Sequence, residues 1–175
     1  MSGAKVLVTG GSGFIGSALV KALVKSGAQV RVLDDNSRGR PRRLHAIEEE
    51  IEFIGGDIRD AAAVGAATKG MDEVHHLAFV NGTEFFYSQP DLVLDVGVRG
   101  MINVIDACRK HNVGNLILAS SSEVYQSPPQ VPTDESANRA RISCRQPSHS
   151  SRDTRRSNSS RRIPAATTRR SRRSG

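Results

Sequence analysis

The stretch KVLVTGGSGFIGSALVKAL, residues 5–23, restricts the fold more than any other part of the chain. An apolar, β-branched run at 5–8 meets a cluster of glycines. Ile15, Leu19, Ala22 and Leu23 then recur at helical spacing through 14–26, and Gly27 supplies a helix stop. The glycines read Gly10-x-x-Gly13-x-x-Gly16, with Gly11-x-Gly13-x-x-Gly16 in the overlapping register. A strand that turns through glycine into a helix presents unpaired N–H groups and the positive end of the helix dipole. A pyrophosphate can approach them closely only where no β-carbon obstructs. Gly10 and Gly13, with Phe14 and Ile15 in the first helical turn, are therefore candidate dinucleotide-binding residues. Gly16 is expected to let the helix pack close to the sheet.

Downstream the pattern alternates. Strands are expected at 29–33, 51–54, 73–78 and 115–119, and helices at 42–49, 61–69 and 92–111. Strands separated by helices imply right-handed crossovers and a parallel sheet covered on both faces. The predicted fold class is α/β, a doubly wound parallel sheet of the Rossmann type, with no internal repeat. The second strand ends in VRVLDD, which places Asp34 twenty-four residues after Gly10. A carboxylate there accepts both ribose hydroxyls of an adenosine and favours NAD. Arg38, Arg40, Arg42 and Arg43 keep the 2′-phosphorylated cofactor open as an alternative.

The formal charge of +7 over 175 residues conceals a division. Residues 138–175 hold twelve arginines, no lysine and one acid, Asp153, so about +11 resides there and about −4 before it. With Ile142 and Ile163 its only large aliphatics, this segment cannot bury enough apolar surface to offset the entropy of ordering it. The expected organisation is a dinucleotide-binding domain over 1–137 and a disordered basic tail over 138–175. Cys108 and Cys144 fit neither a disulfide framework nor a metal pattern, and a reducing cytoplasm is the default location. No signal peptide is read at MSGAKVLVTG, and no apolar run reaches membrane-spanning length.

Five motifs recur here in one order: TGGSGFIG, the Asp34 position, GDIRD after the third strand, HHLAF after the fourth and SSSEVY after the fifth. Together, over roughly residues 4–136, they resemble the extended short-chain dehydrogenase/reductases, the NAD-dependent epimerases and dehydratases of nucleotide sugars. The resemblance implies NAD as cofactor, a nucleotide-sugar substrate and a homodimer. It sets Asp57 and Ile58 beside the adenine and runs Leu77, Ala78 and Phe79 along the middle of the cofactor. His75 and His76 are expected to be packing or capping residues rather than ligands. One departure stands out: where the family usually has an Asn in N-V-x-G-T, this chain reads GVRGM, with Gly97 at the Asn position.

The same resemblance assigns catalysis. Ser121, four residues before Tyr125, takes the place of the Ser or Thr that holds the substrate oxygen, with a hydroxyl able to donate and accept. Glu123 stands where dehydratases and decarboxylases of the family carry an acid, whereas many epimerases do not. The acid/base tyrosine should follow in Y-x-x-x-K some 25–35 residues beyond Ser121. The sequence has only Tyr87 and Tyr125, and no lysine after Lys110. The expectation is therefore a truncated and inactive chain whose last forty residues look out of frame. An alternative is a cofactor-sensing protein whose arginine-rich tail binds nucleic acid or other polyanions. A binding-only regulatory domain is a third reading.

Overall fold

A computed structural model describes residues 3–125 and 131–134, without the side chains of Ser122 and Glu123. The expected disorder of 138–175 lies outside the described residues. A compact unit spans residues 1–126. Its strands are β1 (Lys5–Thr9), β2 (Gln29–Asp34), β3 (Ile51–Gly55), β4 (Glu73–His76) and β5 (Asn115–Leu118). All neighbours pair in parallel, in the order β3-β2-β1-β4-β5. The chain leaves β1 to one side for β2 and β3, then returns past it for β4 and β5. Such a reversal opens a crevice at the carboxyl ends of the central strands.

Alternation along β1 explains why it is central. Val6 and Val8 enter one core with Val20 of α1 (Phe14–Lys25), Val30 and Val32. Leu7 enters the other core with Leu33, Val74, Val64 of α2 (Ala61–Thr68) and Val104 of α5 (Gly100–Lys110). Period-2 sidedness thus covers both faces of β1 with aliphatic side chains, and its largest members are fully buried. Asp60 starts α2 by accepting the N–H groups of Ala62 and Ala63, at 2.8 and 3.3 Å.

Two helical expectations changed in the fold. Residues 42–49 form no α-helix but two 3₁₀ turns, Pro41–Arg43 and His45–Glu50, with Ile47 non-helical at φ −132°. Tertiary ties replace the helix there: the Arg40 N–H and the Arg43 guanidinium both donate to the carbonyl of Ser12, and Leu44 is buried. The predicted helix at 92–111 begins earlier and is interrupted: α4 (Pro90–Leu94), a π-helical turn at Asp95–Arg99, then α5. A short α3 (Thr83–Ser88), which no periodicity announced, precedes them. Ile117 and Leu118 on the edge strand β5, with Leu94, Val98 and Ile102 along the helical segment, remain about half exposed.

Candidate functional site

Asp34 ends β2 at the crevice and is 7% exposed. Its Oδ2 accepts the N–H of Ser12 at 2.9 Å, and its Oδ1 accepts the N–H of Asn36 at 2.8 Å. Ser12 Oγ in turn donates to Asn36 Oδ1 at 2.9 Å. The glycine turn and the loop after β2 are thereby stitched together, and each Asp34 oxygen keeps a second lone pair for a ligand.

Gly10 sits at φ +72°, and a β-carbon there would stand 2.8 Å from the backbone nitrogen of Ala78. The chain leaving β4 passes against the glycine turn, so a side chain is excluded by conformation and by space. Gly16 answers to a different neighbour than expected. Its β-carbon would collide with the carbonyl oxygen of Gly10, so this glycine closes the turn upon itself rather than admitting the sheet. Helix α1 has no side-chain cap and no acid in its first turn. The amides of its first turn have no helical acceptor and are free for an anion.

A cleft of about 110 Å³ runs from this turn. Gly10, Gly13, Asp34, Asp57, Ile58, Leu77, Ala78 and Phe79 all line it, from four segments of the sequence. Phe14 and Ile15 do not line it; their side chains stand exposed at the start of α1, so only their backbone faces the turn. Arg38 of the arginine cluster lines the cleft too; Gly56, Val80 and Val96 line it without having been singled out, and Val96 arrives from the π-helical turn. Only packing brings that turn here.

Asp57 is held by its neighbour Arg59. Its Oδ2 receives Arg59 Nε at 2.8 Å and Nη2 at 2.5 Å, while its Oδ1 receives the Arg59 N–H at 2.8 Å. The Arg59 guanidinium keeps this carboxyl below its ordinary value, more than offsetting its partial burial. Arg59 also reaches Asp95 at 3.3 Å, and Arg99 pairs with Asp95 at 2.9 Å. Asn103 Nδ2 donates to the carbonyls of Ile58 and Arg59, both at 2.9 Å. The GDIRD turn is therefore fastened to the π-helical turn and to α5.

Behind the cleft, His76 packs as expected. The Ala78 N–H donates to Thr9 Oγ1 at 3.3 Å, and the same hydroxyl is hydrogen-bonded to His76 Nδ1 at 2.7 Å. Burial pushes the pKa of the imidazole down to about 4. His75 pairs with Glu73 on the other face of β4. Ser121 lies exposed beyond the end of β5, its carbonyl accepting the Val124 N–H at 3.2 Å. It does not line the cleft. The Glu123 side chain lies outside the described residues.

Residues 6–149 match the NAD dependent epimerase/dehydratase family. The chain belongs to that family. Its match runs past the change of composition at Ala137. Among NAD-dependent epimerase/dehydratase relatives, UDP-glucose 4-epimerase of Mycolicibacterium smegmatis is 38% identical over 135 residues, covering 75% of this chain and 43% of that protein. UDP-glucose 4-epimerase of Klebsiella pneumoniae is 36% identical over 138 residues, covering 75% of this chain and 99% of its counterpart. The Thermus thermophilus UDP-glucose 4-epimerase complex with NAD superposes with a TM-score of 0.69 at 31% identity, covering 78% of this chain and 44% of that one. The Bifidobacterium longum enzyme, solved with NAD+ and UDP, gives 0.71 at 27% identity, covering 78% and 43%. The chain spans about two fifths of the length of the Mycolicibacterium enzyme and of both crystallised epimerases. As in the family name, the cofactor is NAD. Among the described residues no helix is long and apolar enough to cross a membrane.

Proposed function

We propose that this chain supplies the NAD-binding half of a nucleotide-sugar-modifying enzyme. The supporting observation is the convergence of a β-carbon-free glycine turn, a doubly anchored Asp34 and the Ala78 backbone around one cleft. The residues fit the cofactor. Gly10 and Gly13 leave room for a pyrophosphate, and the amides of Phe14, Ile15 and Gly16 face it at the start of α1. Asp34, already oriented by two backbone amides, receives the ribose hydroxyls. Asp57 and Ile58 flank the adenine, with Asp57 sharing its carboxylate between Arg59 and the exocyclic amine. Leu77, Ala78 and Phe79 border the middle of the dinucleotide.

Asp34→Ala should weaken NAD binding by roughly 1–2 kcal/mol, the scale of a lost hydrogen bond to a charged group. Calorimetric titration giving equal affinity for both proteins would remove Asp34 from the ribose. Tighter binding of the 2′-phosphorylated cofactor would instead implicate Arg38, which lines the cleft with its guanidinium 4.7 Å from the Phe85 ring centroid. Arg43 is already engaged with the Ser12 carbonyl.

NAD, when bound, accepts a hydride from a sugar alcohol. Ser121 would hold the substrate oxygen, and Glu123 would stand by as a carboxylate base. Neither replaces a tyrosine for the alcohol proton: a serine hydroxyl ionises far above neutral pH, and the 175 residues contain no Y-x-x-x-K pair. Loss of a general base alone costs about 10²–10⁴-fold. The 175-residue chain should therefore leave UDP-, GDP- and dTDP-sugars unconverted. Incubation with NAD and each sugar, followed by product chromatography, checks this; turnover well above the protein-free rate would point to Tyr125 as base.

A further inference from the structure

The π-helical turn at Asp95–Arg99 is one wall of the cleft, and its middle residue has no side chain. A β-carbon on Gly97 would lie 2.8 Å from Cε2 of Phe79 and within 3.7 Å of two further ring atoms. The Phe79 ring therefore rests on the backbone of Gly97. The ring is not a buried core element: Phe79 is 48% exposed and lines the cleft beside Ala78, Val80 and Val96. The turn beneath it is held firmly. Val96 is buried, and Asp95 is gripped by Arg59 from the GDIRD turn and by Arg99 from its own helix. A pushed ring thus meets a fixed floor on one side and the cleft on the other.

We infer that Phe79 and Gly97 form a size-matched pair that sets the width of the cleft, making Phe79 a determinant of cofactor affinity. This rests on the proposed NAD-binding function. An aromatic ring whose Cε2 edge abuts a glycine while it lines the cleft offers apolar surface there, suited to a planar heterocycle or to the apolar side of a ribose. π-Turns inside helices occur often at functional sites, because the extra residue re-aims the neighbouring side chains. Here the extra residue brings a bare backbone under the ring.

The test is a double-mutant cycle on the 175-residue chain, with NADH fluorescence titration as the readout and thermal denaturation as a check on folding. Gly97→Ala is expected to drive the ring into the cleft and weaken NADH binding roughly tenfold, the scale of overpacking. Phe79→Ala opens the cleft and should cost about threefold or less, through the lost apolar wall. The double variant should bind about as well as Phe79→Ala alone, because the added methyl then has nothing to displace. Phe79→Trp, which enlarges the pair from the other side over an unchanged Gly97, should also weaken binding about fivefold or more. It carries the test if Gly97→Ala fails to fold. Wild-type affinity in Gly97→Ala or in Phe79→Trp, or single effects that multiply in the double variant, would overturn the pairing. A wild-type chain that folds and binds no NADH would instead overturn the proposed function, so the two failures are distinguishable.

Discussion

Gly16→Ala should destabilise the protein by about 3 kcal/mol, the upper part of the range for overpacking a close-packed site. Its β-carbon meets the carbonyl oxygen of Gly10, a backbone atom that no rotamer change can move aside. Gly10 is itself pinned: its N–H donates to the Leu33 carbonyl at 2.9 Å, and its carbonyl accepts the Gly13 N–H at 3.1 Å. The strain must therefore pass into the junction of β1 and α1, between two strands that carry both cores. On a unit of this size the expected fall in Tm is on the order of 10 °C. Circular dichroism melting of the variant beside Gly65→Ala is the measurement, since a β-carbon at Gly65 meets nothing within 4 Å. Equal melting of the two variants would mean that the glycine turn relaxes freely. NAD affinity of any folded Gly16→Ala protein should fall as well, because the same displacement moves the amides at the start of α1 that are proposed to hold the phosphate.

Acid should unfold the protein earlier than its carboxylates alone would require. His76 is 6% exposed, and burial lowers its pKa from 6.5 to about 4. The unfolded chain thus binds one proton more than the folded one between these values, and stability falls as pH drops through this window. The contribution is complete above pH 6.5, is lost progressively down to about pH 4, and changes no further below it. Its size, from the separation of the two values, is about 3 kcal/mol. Asp57, also depressed, acts in the same direction but below the ordinary carboxylate value of 3.8. Urea denaturation at a series of pH values from 4 to 7 should show the fall, and His76→Gln, which does not titrate, should flatten it. A parallel pH dependence in the two proteins would show that another group carries the effect. The consequence would reach the cleft, since the Thr9 hydroxyl that is hydrogen-bonded to His76 also holds the Ala78 N–H.

Much of the candidate site was legible because the residues that build it announce themselves locally. Gly10, Gly13 and Asp34 stand at fixed distances from strand ends, and strand ends follow from short-range alternation. Where that alternation was clear, as at Lys5–Thr9 and Gln29–Asp34, the expected strands fell within a residue of the observed ones. The 42–49 segment failed because helical spacing of its side chains competed with two hydrogen bonds to Ser12 and a buried leucine that belong to tertiary structure. The Asp57 carboxylate lines the cleft, and its sharing with Arg59 was not legible, since adjacency in sequence does not reveal which way a long side chain folds back.

By itself the amino-acid sequence determined the parallel α/β class, the glycine turn between β1 and α1 and the membership of an NAD-dependent family. The class and the turn rest on spacing within a few residues, which fixes backbone conformation before distant segments meet, and the family on the resemblance of five motifs in order. Only the tertiary structure decided that Ser12 anchors Asp34, that Arg59 ties Asp57 to Asp95, that Thr9 joins His76 to Ala78, and that Phe79 lies on Gly97. Except for the Arg59 to Asp57 bond, these contacts join residues from 18 to 69 positions apart. Their geometry depends on the packing of both cores and on a π-turn that no periodicity encodes. A side chain's partner across the sheet is chosen by the space left when everything else is in place.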